Sequence, residues 1–232
     1  MTYASDSAAE DLLWGSGDGG ETLGGDVFNS ALQYLTSYIR HTEFKRLFNQ
    51  ILTAQEQGGF RSLAVLSEFP GEGRSFFVSG LALAYARYLP SRVLIVDSVN
   101  QTVGKCLYLE SVLGVHEPEL VGGRSLAEPG RIDLVSTRTN GSGSYDSSDF
   151  QIGRYVEAMR DRYDVIIVDT CSLNSVGQHY IDPVIIAHQV DATILVTSLR
   201  SYERPILQRI KQKLKRYGIV PLGTVFNSGA RN

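Results

Sequence analysis

The chain has 232 residues, enough for one substantial core, and nothing in its composition calls for a second. An apolar fraction of 43%, a charged fraction of 20% and a net charge of -3 lack the basic excess of a nucleic-acid binder, so nucleic acid is excluded as a partner. Cys106 and Cys171 lie far apart with no CxxC spacing, which excludes a disulfide framework or zinc knuckle and points to a reducing cytoplasm.

Residues 1–28 contain six acidic residues and no basic ones, and glycines recur in "GSGDGGETLGGD". Such a segment buries too little apolar surface to offset the cost of ordering, and it reads as a flexible acidic leader. Its apolar cluster of Leu12, Leu13 and Trp14 is either a docking contact or incidental exposure. Residues 29–232 read as one domain. From Ser30, apolar residues including Leu32, Leu35, Ile39, Leu47 and Ile51 recur at helical spacing up to Gly58-Gly59, as one long helix or two.

Short apolar runs then alternate with amphipathic stretches. "SLAVLS" precedes a glycine-rich turn and a helix to about Tyr88, and "RVLIVD" precedes a helix near residues 101–114. "IDLVS", "YDVIIVDT", "DATILVTS" and "GIVPLGTVFN" follow. Continuous β-branched runs of this kind belong to strands buried on both faces. Their alternation with helices predicts an α/β fold, a mostly parallel sheet flanked by helices on both faces. "TRTNGSGSYDSSD", residues 137–149, reads as a surface loop near the strand ends. No segment approaches the roughly 18 apolar residues that a spanning helix requires, so membrane association is expected only through a partner or a surface patch.

The segment after the first buried run carries the chemistry. A strand that ends in a glycine-rich turn and opens into a helix surrounds phosphate with backbone N–H groups and the positive helix end. Here the turn is Pro70-Gly71-Glu72-Gly73, with Arg74-Ser75 opening the apolar helix "FFVSGLALAYA". "VLIVD" ends in Asp97 and "DVIIVD" in Asp169, and ligands of parallel sheets bind beyond such strand ends. Asp97, Asp169 and the Ser75 hydroxyl are therefore candidate magnesium ligands, although each aspartate could instead cap a strand or helix.

From about Glu43 to Asn227 the chain resembles the bacterial tyrosine kinases that partner polysaccharide co-polymerases in capsule and exopolysaccharide synthesis. That family is a branch of the deviant P-loop ATPases that include ParA and MinD. Its loop reads P-G-E-G-K-[ST], which Pro70 to Ser75 match except at Arg74. Asp97 matches the first acid of the family's D-x-D, and Val99 departs from the second. Asp169-Thr170 matches the family's Asp-Thr-Pro-Pro, with Cys171-Ser172 in place of the prolines. Gly223 to Asn227 matches G-x-V-x-N, whose asparagine lies near the adenine.

The resemblance implies ATP or ADP and Mg2+ as cofactors, with Pro70, Gly71, Glu72, Gly73, Arg74, Ser75 and Asn227 around the nucleotide. It implies catalytic roles for Arg74, Asp97 and Asp169. It also implies a membrane polysaccharide co-polymerase or chain-length determinant as partner, at the inner face of the membrane. The family's E-x-x-R-x-x-R, used between subunits of a ring, is met at Glu43 and Arg46, while Asn49 replaces the last arginine. A homo-oligomer is one reading of that pair, and two surface charges on one helix face are the other.

The departures bear on activity. Lysine serves phosphoryl transfer as a compact charge, and Arg74 replaces it with a longer, planar, five-donor head. That head either fills the loop or swings out to a surface acid. Val99 can neither accept a proton nor ligate a metal. No tyrosine follows Tyr217, where family members carry the cluster that their neighbours phosphorylate. The expectation is a kinase-like regulator or scaffold with impaired chemistry. The alternatives are an active kinase or ATPase acting on another protein and a ParA or MinD type switch. Against the switch, no lysine stands early in the loop, at Glu68-Phe69-Pro70. Seven basic residues from Arg200 to Arg216 mark a helix whose other side carries Ile206, Leu207, Ile210 and Leu214, as core or as a docking face.

Overall fold

The computed structural model describes residues 2–3, 25–98, 120–121, 124–125, 130–136, 151–175, 181–199 and 204–228. In chain order the strands are β1 (Thr2–Tyr3), β2 (Ser62–Leu66), β3 (Val93–Asp97), β4 (Leu120–Val121), β5 (Arg124–Ser125), β6 (Ile132–Ser136), β7 (Val165–Asp169), β8 (Ala192–Ser198) and β9 (Gly223–Asn227). The helices are α1 (Gly25–Arg40), α2 (Thr42–Gly58), α3 (Arg74–Tyr88), α4 (Gln151–Met159), α5 (Pro183–Ala187) and α6 (Arg204–Arg216).

The main sheet has seven strands in the order β1-β9-β8-β2-β7-β3-β6, and every pairing in it is parallel. β4 and β5 form a separate antiparallel pair. β2 therefore lies between β7 and β8, and the carboxyl ends of β2, β3, β7 and β8 share one edge. All five residues of β2, β3 and β7 are buried, as expected of strands covered on both faces.

Successive residues of a strand point to opposite faces. Leu63 and Val65 accordingly pack with Phe77, Leu81 and Tyr85 of α3, beneath Leu35 and Ile39 of α1 and Phe44, Phe48 and Ile51 of α2. On the other face Ala64 packs with Ile152, Val156 and Met159 of α4, and Leu66 with Ile210 and Leu214 of α6. α3 is covered by the sheet on one side and by α1 and α2 on the other, which explains why it is apolar all round. Burying each of these large side chains contributes about 1.5–3 kcal/mol.

The helical pattern before the sheet resolves into two helices, because His41 takes an extended backbone between α1 and α2. α1 begins at Gly25, inside the segment read as leader. Glycine at a helix start sits where the N–H groups have no intrahelical partner in any case, so linker-like composition and a helical backbone coexist there. Thr2–Tyr3 pairs with Phe226 and Asn227 at the sheet edge. Leu12, Leu13, Trp14, Val99, the helix expected near 101–114, Cys106 and the loop 137–149 lie outside the described residues. Among the described residues no helix is long and apolar enough to cross a membrane.

Candidate functional site

The turn after β2 is built by two glycines in the left-handed region, Gly71 at φ 79° and Gly73 at φ 91°. Gly73 is also the residue that caps α3, and its carbonyl accepts from Phe77 N at 3.0 Å. A Cβ there would lie 2.4 Å from Asn227 Nδ2. Asn227 Nδ2 in turn donates to the Glu72 carbonyl at 3.3 Å, so the end of β9 holds the loop from one side.

Glu72 holds it from within. Its buried carboxylate accepts from Phe69 N at 2.9 Å, Thr197 Oγ1 at 2.9 Å and Ser198 N at 3.2 Å, fastening the turn to the end of β8. The residue read as nucleotide-binding thus spends its side chain on the loop's own shape, and its carbonyl on Asn227. The sequence reading missed Thr197 and Ser198, because they lie 125 and 126 residues away and belong to no motif.

Arg74 turns inward. Its Nη1 donates to Ser67 Oγ at the end of β2, while Ser67 Oγ donates to the Phe69 carbonyl at 2.9 Å. Arg74 Nε is buried without a hydrogen-bond partner. Burial holds the guanidinium below its ordinary pKa, and Asp169 is the strongest of the charges opposing that shift. The other conformation weighed for this side chain, swung out to a surface acid, is not the one adopted.

Asp97 and Asp169 end adjacent strands and face each other in register, Asp97 against Asp169, and both are buried. Ser98 fixes the two ends together, its N and Oγ donating to the Asp169 carbonyl at 3.0 and 2.6 Å. Val65 is in register with Asp169 on the other side, and Thr170 Oγ1 donates to the Val65 carbonyl at 2.7 Å. Leu173 N donates to the Ser67 carbonyl at 2.8 Å, so the segment after β7 runs beneath the loop. Burial pushes the Cys171 thiol up to about 11, leaving it a neutral packing group at physiological pH.

The backbone of Gly71 to Ser75 at the start of a 15-residue helix fits phosphate. Asp97, Asp169 and the Ser75 hydroxyl are hard oxygen donors of the kind magnesium takes alongside substrate phosphates. Among the described residues no three acidic, histidine or cysteine side chains converge as a protein-only metal cage would.

The remaining candidates sit elsewhere. Glu43 and Arg46 are exposed on α2, opposite the buried Phe44, Phe48 and Ile51. α6 buries Ile210 and Leu214, so its apolar side is core. From its polar side Lys213 Nζ donates to Asn174 Oδ1 at 2.9 Å, the Leu173 carbonyl at 3.3 Å and Glu68 Oε1 at 3.4 Å. This contact ties α6 to the segments flanking the loop.

No family model matches the chain. Tyrosine-protein kinase CpsD of Streptococcus pneumoniae is 28% identical over 194 residues, spanning 78% of this chain and 82% of that protein. The kinase domain of the Escherichia coli tyrosine kinase ETK superposes with a TM-score of 0.65 at 15% identity, over 100% of this chain and 90% of that one. The septum site-determining protein MinD of Pyrococcus horikoshii OT3, complexed with Mg-ADP, superposes with a TM-score of 0.51 at 17% identity, over 72% of this chain and 70% of that one. The two solved structures establish the P-loop NTPase fold.

Proposed function

From the homology of this chain to the CpsD tyrosine-protein kinases, we propose that it is a kinase-like P-loop protein of exopolysaccharide synthesis with impaired phosphoryl transfer. It binds nucleotide at Gly71 to Ser75 and acts as regulator or scaffold of a membrane polysaccharide co-polymerase on the cytoplasmic side. Asn227 and Glu72 hold the loop, and Asp97, Asp169 and Ser75 are the residues that would hold magnesium. When bound, that ion would neutralise phosphate charge. Glu43 and Arg46 are assigned to contacts between subunits.

The observation that carries this reading is the combination of a fully braced loop with an inward-turned Arg74. The left-handed glycines, the Asn227 contact and the Glu72 hydrogen bonds preserve a phosphate cradle. The side chain in the lysine position meanwhile points back to Ser67. Phosphoryl transfer depends on charge placed at the transferring group, so a cradle without that charge favours binding over turnover.

Calorimetric titration with Mg-ATP and Mg-ADP, run beside an assay of phosphate release and tyrosine phosphorylation, tests the reading. Binding without product is expected from the wild type, and Arg74→Lys is expected to gain turnover. Turnover by the wild type that is lost in Asp169→Ala would replace this reading with that of an active kinase or ATPase.

A further inference from the structure

We infer that α6 and the turn after it form a docking surface for an anionic phospholipid bilayer. The inference does not rest on nucleotide binding. It starts from charge. α6 exposes Arg204, Arg209, Lys211, Lys215 and Arg216 and contains no acidic residue, in a chain whose net charge is -3. Among the described residues, no ion pair or side-chain hydrogen bond engages these five cations. Lys213 differs, because its ammonium is spent inward on Glu68, Leu173 and Asn174.

Helix stability does not account for the pattern. Cations in the last turn favour the carboxyl end of a helix, which covers Lys215 and Arg216. Arg204 stands in the first turn, where a cation is unfavourable. Arg209 with Lys213 and Lys211 with Lys215 set like charges four positions apart, which weakens a helix. α6 thus holds a concentration of positive charge that its own folding does not use.

The second observation is apolar. α6 buries Ile210 and Leu214 in the core, so insertion falls to the turn that follows it. There Tyr217, Val220 and Leu222 are exposed at 47%, 83% and 47%. The buried Ile219 anchors the turn, its N donating to the Leu214 carbonyl at 2.9 Å. Leu222 N donates to the Thr193 carbonyl at 2.8 Å, which fixes the turn at the amino edge of the sheet, opposite the glycine loop. An acidic protein would neutralise the cations and give the three apolar side chains no role. A bilayer takes both: clustered cations on an amphipathic helix match anionic headgroups, and the interfacial zone accepts a tyrosine with its polar tip and two aliphatic side chains.

The test is flotation of the full chain, without nucleotide, with phosphatidylcholine vesicles that contain or lack phosphatidylglycerol. Binding is expected only to the anionic vesicles. It is expected to fall at least about ten-fold in Arg209→Gln/Lys211→Gln/Lys215→Gln, since each cation near such a surface contributes about five-fold. Glutamine is a good helix former and the three positions are exposed, so circular dichroism should show the fold retained. Equal binding to both kinds of vesicle, or undiminished binding by the triple variant, would overturn the proposal. Retention on immobilised polyglutamate without binding to any vesicle would put an acidic protein in place of the bilayer.

Val220→Trp in a Trp14→Phe background reads insertion directly, because that chain has a single tryptophan. Its emission is expected to shift to the blue when anionic vesicles are added. Unshifted emission from a vesicle-bound chain would remove the apolar contact on which the choice of a bilayer rests. Should the triple variant lose its fold, this arm decides the matter.

Discussion

Gly73 and Asn227, 154 positions apart in the chain, are packed so closely that a methyl group does not fit between them: a Cβ on Gly73 would sit 2.4 Å from Asn227 Nδ2. Gly73 also has φ 91°, which a side chain disfavours independently of space. Gly73→Ala is therefore expected to cost about 1–3 kcal/mol and to abolish nucleotide binding. In Gly73→Ala/Asn227→Ala the clash is gone and the backbone strain remains, so urea midpoints should recover only in part. Full recovery would show that sterics alone govern the position.

Glu72 braces the loop rather than contacting a ligand through its side chain. Glu72→Gln keeps the size and removes the charge that serves Phe69 N, Thr197 Oγ1 and Ser198 N. A loss of about 1–3 kcal/mol is expected, with faster amide exchange at Phe69 and Ser198. Unchanged exchange at both amides would contradict the bracing role.

Asp191 accepts from Arg61 N, Ser62 N and Ser62 Oγ, each at 2.9 Å, and from both terminal nitrogens of Arg160 at 2.6 and 2.7 Å. Burial alone would raise its pKa, but these donors outweigh it and hold the carboxyl well below the usual carboxylate range. A depressed pKa stabilises the fold above the unfolded value of about 3.9 and loses that contribution as pH falls below it. Stability measured by urea unfolding should thus drop in the wild type below about pH 4, and drop less steeply in Asp191→Asn. Parallel curves would exclude Asp191 as a source of the acid sensitivity.

On the far strand, Tyr163 OH donates to Asp133 Oδ2 at 2.7 Å, and Arg131 Nε donates to Oδ1 at 2.7 Å. Asp133 is 1% exposed, so Tyr163→Phe leaves part of a buried carboxylate without its donor. Thermal and urea unfolding should show a loss of about 1–3 kcal/mol. Asp133→Asn in the same background should soften the loss, since an amide is less costly to bury than a carboxylate.

The elements that were legible in the sequence are those whose causes are local. Runs such as "VLIVD" and "DVIIVD" announce strands covered on both faces, and β3 and β7 occupy them with every residue buried. The glycines at 71 and 73 marked a turn before a helix, and the structure gives both of them the left-handed backbone that glycine tolerates. Homology to a tyrosine-protein kinase bears out the motif-based resemblance.

The roles of Thr197 and Asp191 were not legible, because each is made by strands brought together from distant parts of the chain, whereas the turn of Arg74 to Ser67, seven positions away, is a side-chain conformation that the motif does not specify. Periodicity tells which residues are buried on a strand, but strand order arises from long-range pairing that no local window contains. The sequence by itself determined that a glycine-rich turn would follow a buried strand, and that two aspartates would end two others. Only the tertiary structure decided that those aspartates end adjacent strands in register and that Arg74 turns inward to Ser67. Placing β2 between β7 and β8 is what makes one edge of the sheet into one site.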